Sequence, residues 1–164
     1  MKKLKIYLDT SVINFIYAND APVQMEITLE FFEMYVRQNR YYSYISPIVI
    51  DEINKTSDNE QRNRLRTVLD EFPIKLLNLD DDLEEIRRMA QIYIEEGIIP
   101  VRKIDDALHL AICSVKEMDV LLSWNYKHLA NINREMRIMA ANLKEGYTHL
   151  FRMVTPLEVM YEEE

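Results

Sequence analysis

Acidic side chains occur at three places in this chain where apolar segments end or begin. Asp9 directly follows the apolar segment 4–8. Glu52 lies among apolar neighbours in a second segment, and Asp106 directly precedes a third. A short apolar run is typical of a buried strand, and open α/β sheets form their sites at the carboxyl ends of such strands. We therefore expect these three carboxylates to meet at one edge of a sheet.

A cluster of three carboxylates predicts a bound divalent cation. Two carboxylates about 4 Å apart repel each other by roughly 4 kcal/mol at an effective dielectric constant near 20, and a third acid adds to this repulsion. Oxygen donors without a converging His or Cys favour Mg²⁺ or Mn²⁺ over zinc. Such ions orient a phosphodiester, activate water and stabilise the leaving oxygen. We predict that Asp9, Glu52 and Asp106 are the metal ligands.

Each acid also has a purely structural explanation. Asp9 is suited to cap the helix that follows it, and Glu52 is compatible with a solvated helix face. Asp105 and Asp106 favour the dipole of the helix that they begin. The joint pattern of the three positions, rather than any one of them, favours the cluster.

Strand-like and helical segments alternate along the chain. Strands are predicted at 4–8, 42–45, 75–79, 120–124 and 150–154, and helices at 25–39, 59–72, 81–96 and 104–118. Ser46, followed by a proline, is predicted to begin a further helix that contains Glu52, and Gly97 is predicted to end the helix 81–96. The segment 128–146 is predicted to be helical or irregular. This alternation indicates parallel βαβ units and a sheet covered on both sides, an α/β fold. In the helix 25–39 we expect one buried face, formed by Ile27, Phe31, Met34 and Tyr35.

Composition limits the possible functions. The 164 residues, 48% of them hydrophobic, predict one globular domain over 1–164. With 2 Gly the chain has no phosphate-binding glycine loop, which argues against nucleotide-hydrolysing and nicotinamide-dependent enzymes. The single Cys113 predicts a reducing, cytoplasmic setting, and no apolar run is long enough for a membrane span. The net charge of −8 opposes nucleic-acid binding unless basic residues are concentrated locally.

Five short segments resemble, in the correct order, the motifs of the PIN-domain family. They are 8–11 (LDTS), 50–53 (IDEI), 105–111 (DDALHLA), 122–128 (LSWNYKH) and 154–158 (VTPLE). Each motif is short, and the set spans nearly the whole chain. The resemblance implies a three-layer α/β/α sandwich with a parallel sheet of about five strands, and Mg²⁺- or Mn²⁺-dependent ribonuclease activity. Many single-domain members are VapC-type toxins held inactive by a small antitoxin. We expect RNA as substrate, such an antitoxin as partner, and a homodimer.

The same resemblance assigns residues to roles. Asp9, Glu52 and Asp106 match the acidic ligands, and Ser11 matches a small polar residue that hydrogen-bonds within the site. Asn125 stands where many PIN domains have a further Asp, so one negative charge is missing. This departure leaves open whether a second metal binds. It also leaves open an alternative function, a catalytically weak or inactive PIN-like module that acts within a complex.

Other residues near these motifs have less specific signals. We expect His109 to be a packed helical histidine and Trp124 to close the end of a strand. His128 ends the motif that contains Asn125, and we expect it to be either a solvated loop residue or a contact to phosphate. The basic residues that flank the acidic motifs are candidates for contact with an RNA backbone; they are Arg102, Lys103 and Lys127.

Overall fold

A computed structural model of the protein describes residues 2–125 and 129–161. The strands are β1 (Lys5–Leu8), β2 (Tyr42–Ile45), β3 (Ile74–Leu76), β4 (Val120–Leu122) and β5 (Arg152–Val154). The α-helices are α1 (Thr10–Asn14), α2 (Pro22–Phe31), α3 (Pro47–Asn54), α4 (Asn59–Glu71), α5 (Leu83–Glu95), α6 (Ile104–Val115), α7 (Ile132–Lys144) and α8 (Pro156–Tyr161). Short 3₁₀ turns occur at Phe15–Tyr17 and Val101–Lys103, and a π-helical turn at Phe32–Val36.

The five strands form one parallel sheet in the order β3-β2-β1-β4-β5. Ile6 of β1 lies opposite Ser43 of β2 on one side and Val120 of β4 on the other. Helices flank this sheet, so the predicted α/β fold with a five-stranded parallel sheet in a three-layer sandwich is confirmed. From β1 the chain first forms one half of the sheet, with β2 and β3, and then the other half, with β4 and β5. The gap between the carboxyl ends of β1 and β4 is therefore a topological switch point, where sheets of this type bind ligands.

The core is built around β1, whose residues Ile6, Tyr7 and Leu8 are fully buried. A strand covered by helices on both faces takes apolar residues at successive positions, as this one does. Helices α5 and α6 pack closely on each other, and α2 packs against α8. Cys113 is buried in α6, and burial raises the pKa of its thiol well above the usual value. This thiol is therefore held in its unreactive, protonated form.

Several helix boundaries follow from single side chains. The Asp9 carboxylate caps α1 by accepting from the Val12 amide, and the Ser46 hydroxyl caps α3 by accepting from the Ile48 amide. Gly97 follows α5 with a φ of +72°, a left-handed conformation that costs glycine little. The predicted start at Ser46 and stop at Gly97 are confirmed.

The predicted helix 25–39 differs from the observed structure. Helix α2 ends at Phe31 and continues into the π-helical turn, where the Arg37 amide donates to the Phe32 carbonyl. The wider turn inserts one residue and rotates the helix face, so that Phe31 and Phe32 are both fully buried. The prediction that Met34 is buried is wrong, because its side chain is 49% exposed.

The remaining differences are at element ends. Strand β3 covers Ile74–Leu76 rather than 75–79, and α7 occupies the central part of 128–146. Lys127 and His128 lie outside the described residues. Within the described ranges, no helix combines the length and the apolar character needed to cross a membrane.

Candidate functional site

The predicted site residues lie around the switch point of the sheet. Asp9 directly follows β1, and Asn125 follows β4. Glu52 lies in α3, the helix after β2, and Asp106 lies in the first turn of α6. Glu52 and Asp106 line the same cavity. Asp9 is linked to Asp106 through Ser123 and Asn125, because Ser123 donates to Asp9 and accepts from the Asn125 amide, and Asn125 Nδ2 donates to Asp106.

Two serine hydroxyls hold the Asp9 carboxylate. Ser11 Oγ donates to Asp9 Oδ1 at 2.5 Å, and Ser123 Oγ donates to Asp9 Oδ2 at 2.7 Å. Ser11 Oγ in turn accepts from the Trp124 amide at 3.0 Å. Both carboxylate oxygens are therefore fixed in direction. Oδ1 also accepts from the Val12 amide, so Oδ2 is the oxygen that keeps a lone pair for a further partner.

Asp9 lies in an environment unfavourable to its charge. The residue is 5% exposed, and burial raises the pKa of its carboxyl. The positive field of His109 and the hydrogen bonds from Ser11 and Ser123 partly oppose this rise. A buried carboxylate with a raised pKa is one that a cation would stabilise in its ionised form.

Asp106 belongs to the same electrostatic cluster. Partial burial, with contributions from the fields of Asp9 and Glu52, raises the pKa of Asp106 to about 6, although His109 and Lys103 oppose the rise. Asn125 Nδ2 donates to Asp106 Oδ2 at 3.3 Å. The Asn125 amide thus lies against Asp106. Its N–H partly offsets the negative charge of Asp106, which the neighbouring carboxylates make unfavourable.

Glu52 is bonded to a histidine. His109 Nε2 lies 2.7 Å from Glu52 Oε1, and His109 Nδ1 lies 2.6 Å from the Tyr7 hydroxyl. The Tyr7 hydroxyl lies 2.7 Å from Ser46 Oγ. Burial lowers the pKa of His109, but the hydrogen bond to Glu52 and the fields of the surrounding acids raise it above the usual value overall. His109 is packed as predicted, at 2% exposed, and also contacts a predicted site residue.

A cavity of about 230 Å³ opens beside this cluster. Acidic and basic side chains share its wall, together with Ile104; they are Glu52, Asp105, Asp106, Arg102 and Lys103. Arg102, Lys103 and Asp105 are exposed. The cavity therefore places two cations next to the acidic cluster, within reach of an anionic ligand.

The described residues do not form a preassembled metal centre. Among residues 2–125 and 129–161, no three His, Cys, Asp or Glu side chains are arranged to hold one ion. Glu52 directs one oxygen to His109, and Asn125 presents its amide nitrogen to Asp106. The chemistry of the donors nevertheless fits a hard cation, because they are oxygens and because the pKa values of Asp9 and Asp106 are both raised. If an ion binds, Asp9, Asp106 and the free oxygen of Glu52 are the groups suited to hold it.

Sequence reasoning missed three polar residues of the site, Tyr7, Ser46 and Ser123. Ser46 and Ser123 directly follow β2 and β4, the position that singled out Asp9 after β1. Tyr7 lies within an apolar strand, where its hydroxyl gives no signal until its partners are known. Trp124 is buried as expected, and its Nε1 donates to Thr28 Oγ1 at 2.9 Å.

Comparison with known proteins gives no family assignment. No protein-family model matches the sequence, and no significantly similar curated protein is found. The function is therefore inferred from the chemistry of the site and from the motif resemblance.

Proposed function

We propose that the protein is a metal-dependent endoribonuclease of the PIN-domain type, with Asp9, Glu52 and Asp106 as ligands of Mg²⁺ or Mn²⁺. The main support is the position of the three acids around the switch point, with Asp9 at the end of β1 and with Glu52 and Asp106 on the wall of one cavity. Burial is the main cause of the raised pKa of Asp106, and the fields of Asp9 and Glu52 add to it against those of His109 and Lys103, so a bound cation would further stabilise the ionised acid. The order of the five motifs along the chain supports the same function.

In this proposal each residue has a defined task. Asp9, held by Ser11 and Ser123, provides a rigid carboxylate at the base of the site. Asp106 and Glu52 approach from two helices, and Asn125 holds Asp106 in place. A bound Mg²⁺ or Mn²⁺ would supply Lewis acidity toward a phosphodiester and its attacking water. Family resemblance implies products with 5′-phosphate and 3′-hydroxyl ends.

The basic residues beside the site support an anionic substrate. Arg102 and Lys103 are both exposed and line the cavity beside the acids. A phosphodiester that approaches a protein of net charge −8 requires local cations of this kind. We infer that these two side chains contact the RNA backbone.

The direct test is RNA cleavage by the purified protein in Mn²⁺. The wild type should cut RNA, and Asp9→Asn should abolish cutting because it removes a buried ligand charge. Asp51→Asn is the matched control, because Asp51 neighbours Glu52 on α3 but is exposed and lines a different cavity. Circular dichroism would confirm that each variant folds. Cleavage by Asp9→Asn at the wild-type rate would contradict the proposed site.

A second candidate function is a PIN-like binding module without turnover. It is favoured by the absence of a three-donor arrangement among the described residues and by Asn125 in place of an acid. Calorimetry separates the two functions. A binding module would show neither Mn²⁺ binding nor cleavage, whereas the nuclease would show both.

The motif resemblance extends the proposal to a toxin of a type II toxin–antitoxin pair, with a small antitoxin as partner and a homodimer as the assembled form. A neighbouring reading frame that encodes a small DNA-binding protein would support this extension. Inhibition of RNA cleavage by the product of that frame would test it directly.

A further inference from the structure

We propose that His109, supported by Tyr7 and Ser46, is a positioning residue that aims the Glu52 carboxylate into the metal site. This inference rests on the proposed metal-dependent function. It assigns a role to three buried polar residues that neither the composition nor the acidic motifs explain.

The hydrogen bonds form one continuous chain with a consistent donor direction. Ser46 Oγ accepts from the Ile48 amide at 3.2 Å, so its own proton is available to the Tyr7 oxygen. The Tyr7 hydroxyl then donates to His109 Nδ1, and His109 Nε2–H donates to Glu52 Oε1. A carboxylate can only accept, which requires the proton on Nε2. If the imidazole is doubly protonated, the Tyr7 and Ser46 bonds reverse while the bond to Glu52 remains.

This chain of hydrogen bonds connects the three elements that position the three acids. Tyr7 lies in β1, two residues before Asp9. Ser46 is the N-cap of α3, which carries Glu52. His109 lies in α6 three residues after Asp106, on the same side of the helix. A shift of any one element would therefore strain the hydrogen bonds to the others.

Glu52 has a long, partly exposed side chain that needs such a constraint. Its side chain is 28% exposed, whereas His109 is 2% exposed and has no room to rotate. The imidazole holds Oε1 only, which leaves Oε2 available to a cation. Hydrogen-bond partners of metal ligands fix the ligand orientation, and their removal typically weakens metal binding about 10- to 100-fold.

A second buried network in the same protein provides a matched control. The Tyr93 hydroxyl lies 2.9 Å from Ser114 Oγ and donates to Asn142 Oδ1. Like Tyr7, Tyr93 is fully buried, but its network joins α5, α6 and α7 and includes none of the three acids. Tyr93→Phe should therefore destabilise the folded protein about as much as Tyr7→Phe, because each removes a buried, hydrogen-bonded hydroxyl.

The test is the Mn²⁺ dissociation constant of the full chain, measured by calorimetry. His109→Leu should weaken Mn²⁺ binding about 10- to 100-fold, and His109→Gln, which retains an N–H donor, should restore most of the loss. Tyr7→Phe should weaken binding several-fold, whereas Tyr93→Phe should bind as the wild type does. Thermal unfolding of Tyr7→Phe and Tyr93→Phe should be affected to a similar extent.

The possible outcomes separate this inference from the proposed function. If the wild type binds no Mn²⁺, the metal-dependent function fails and the positioning role fails with it. If the wild type binds Mn²⁺ and folded His109→Leu binds within twofold of it, only the positioning role is overturned. If His109→Leu does not fold, the Tyr7→Phe and Tyr93→Phe pair decides, and equal Mn²⁺ affinities of the two would overturn the role. The ¹⁵N shifts of His109 in the metal-free protein should change on Glu52→Gln, and unchanged shifts would also overturn it.

Discussion

At the scale of single residues, Asp106 couples the chemistry of the site to the stability of the protein. Its pKa is raised from 3.8 to about 6, by burial first and then by Asp9 and Glu52 against the opposition of His109 and Lys103. The folded state therefore binds this proton more tightly than the unfolded chain does. The resulting stability is fully present below pH 3.8 and is lost as the pH rises through about 6.

We predict that Asp106→Asn stabilises the metal-free protein at pH 7.5. A fully buried group with such a shift would contribute about 3 kcal/mol, and the partial exposure of Asp106 reduces the expectation to about 1–2 kcal/mol. Urea unfolding in the presence of a chelator measures the change, which should shrink at pH 5. Asp105→Asn, at an exposed neighbouring acid, is the control and should have a smaller effect. A less stable Asp106→Asn at pH 7.5 would show that the acid is not under electrostatic strain.

The site could be predicted from the sequence only in part. Asp9, Glu52 and Asp106 were singled out because strand ends and helix starts can be located from apolar patterns, and in the structure Asp9 directly follows β1 while Glu52 and Asp106 line one cavity. The contact between Glu52 and His109 could not be predicted, because the two residues are separated by 57 positions and no local pattern connects them. The same limit applied to Tyr7, whose buried hydroxyl has a partner 102 positions away.

At the scale of elements, the turn Val101–Lys103 is the segment suited to receive the proposed RNA substrate. Together with the first turn of α6 it lines the cavity beside the acids, and Arg102 and Lys103 are both exposed there. Lys103 is close enough to Asp106 to lower the pKa of that carboxyl. A phosphate bound at this turn would lie next to the proposed metal site.

We predict that the double variant Arg102→Gln/Lys103→Gln weakens binding of single-stranded RNA and reduces its dependence on salt. Each phosphate contact contributes about 0.7 to the slope of log affinity against log salt, so the slope should fall by about 1.4. Fluorescence anisotropy in a chelator, without cleavage, measures the binding. The control is Lys2→Gln/Lys3→Gln, which removes the same charge before β1, at the opposite edge of the sheet. An equal loss in both variants would mean that total charge, not this turn, attracts RNA.

Element types were easier to predict than their details. The alternation of strands and helices gave the parallel sheet, because a 2-residue and a 3.6-residue period are distinguishable in sequence. The π-helical turn at Phe32–Val36 could not be predicted in this way. Whether the chain forms an α-helical or a π-helical turn here depends on the packing of Phe31 and Phe32, which are both buried in the core. The exposed Met34 is the consequence of that turn.

At the scale of the whole molecule, cation binding should appear as a gain in stability. The chain carries a net charge of −8, and its buried acids add local repulsion that a bound ion would relieve. A ligand at about 100 times its dissociation constant stabilises the folded state by about 2.7 kcal/mol. For a protein of 164 residues this corresponds to a rise in melting temperature of roughly 5–10 °C.

We therefore predict that millimolar MnCl₂ raises the melting temperature by several degrees more than NaCl at the same ionic strength. General screening relieves the net charge in either salt, so only the difference between the salts reports a specific site. Asp9→Asn should abolish that difference, because it removes the most buried of the three carboxylates. Asp51→Asn should preserve it, because this exposed acid lies outside the cluster. If wild type and Asp9→Asn respond equally to Mn²⁺, the ion acts on the protein surface at large and the carboxylates at the switch point do not hold it.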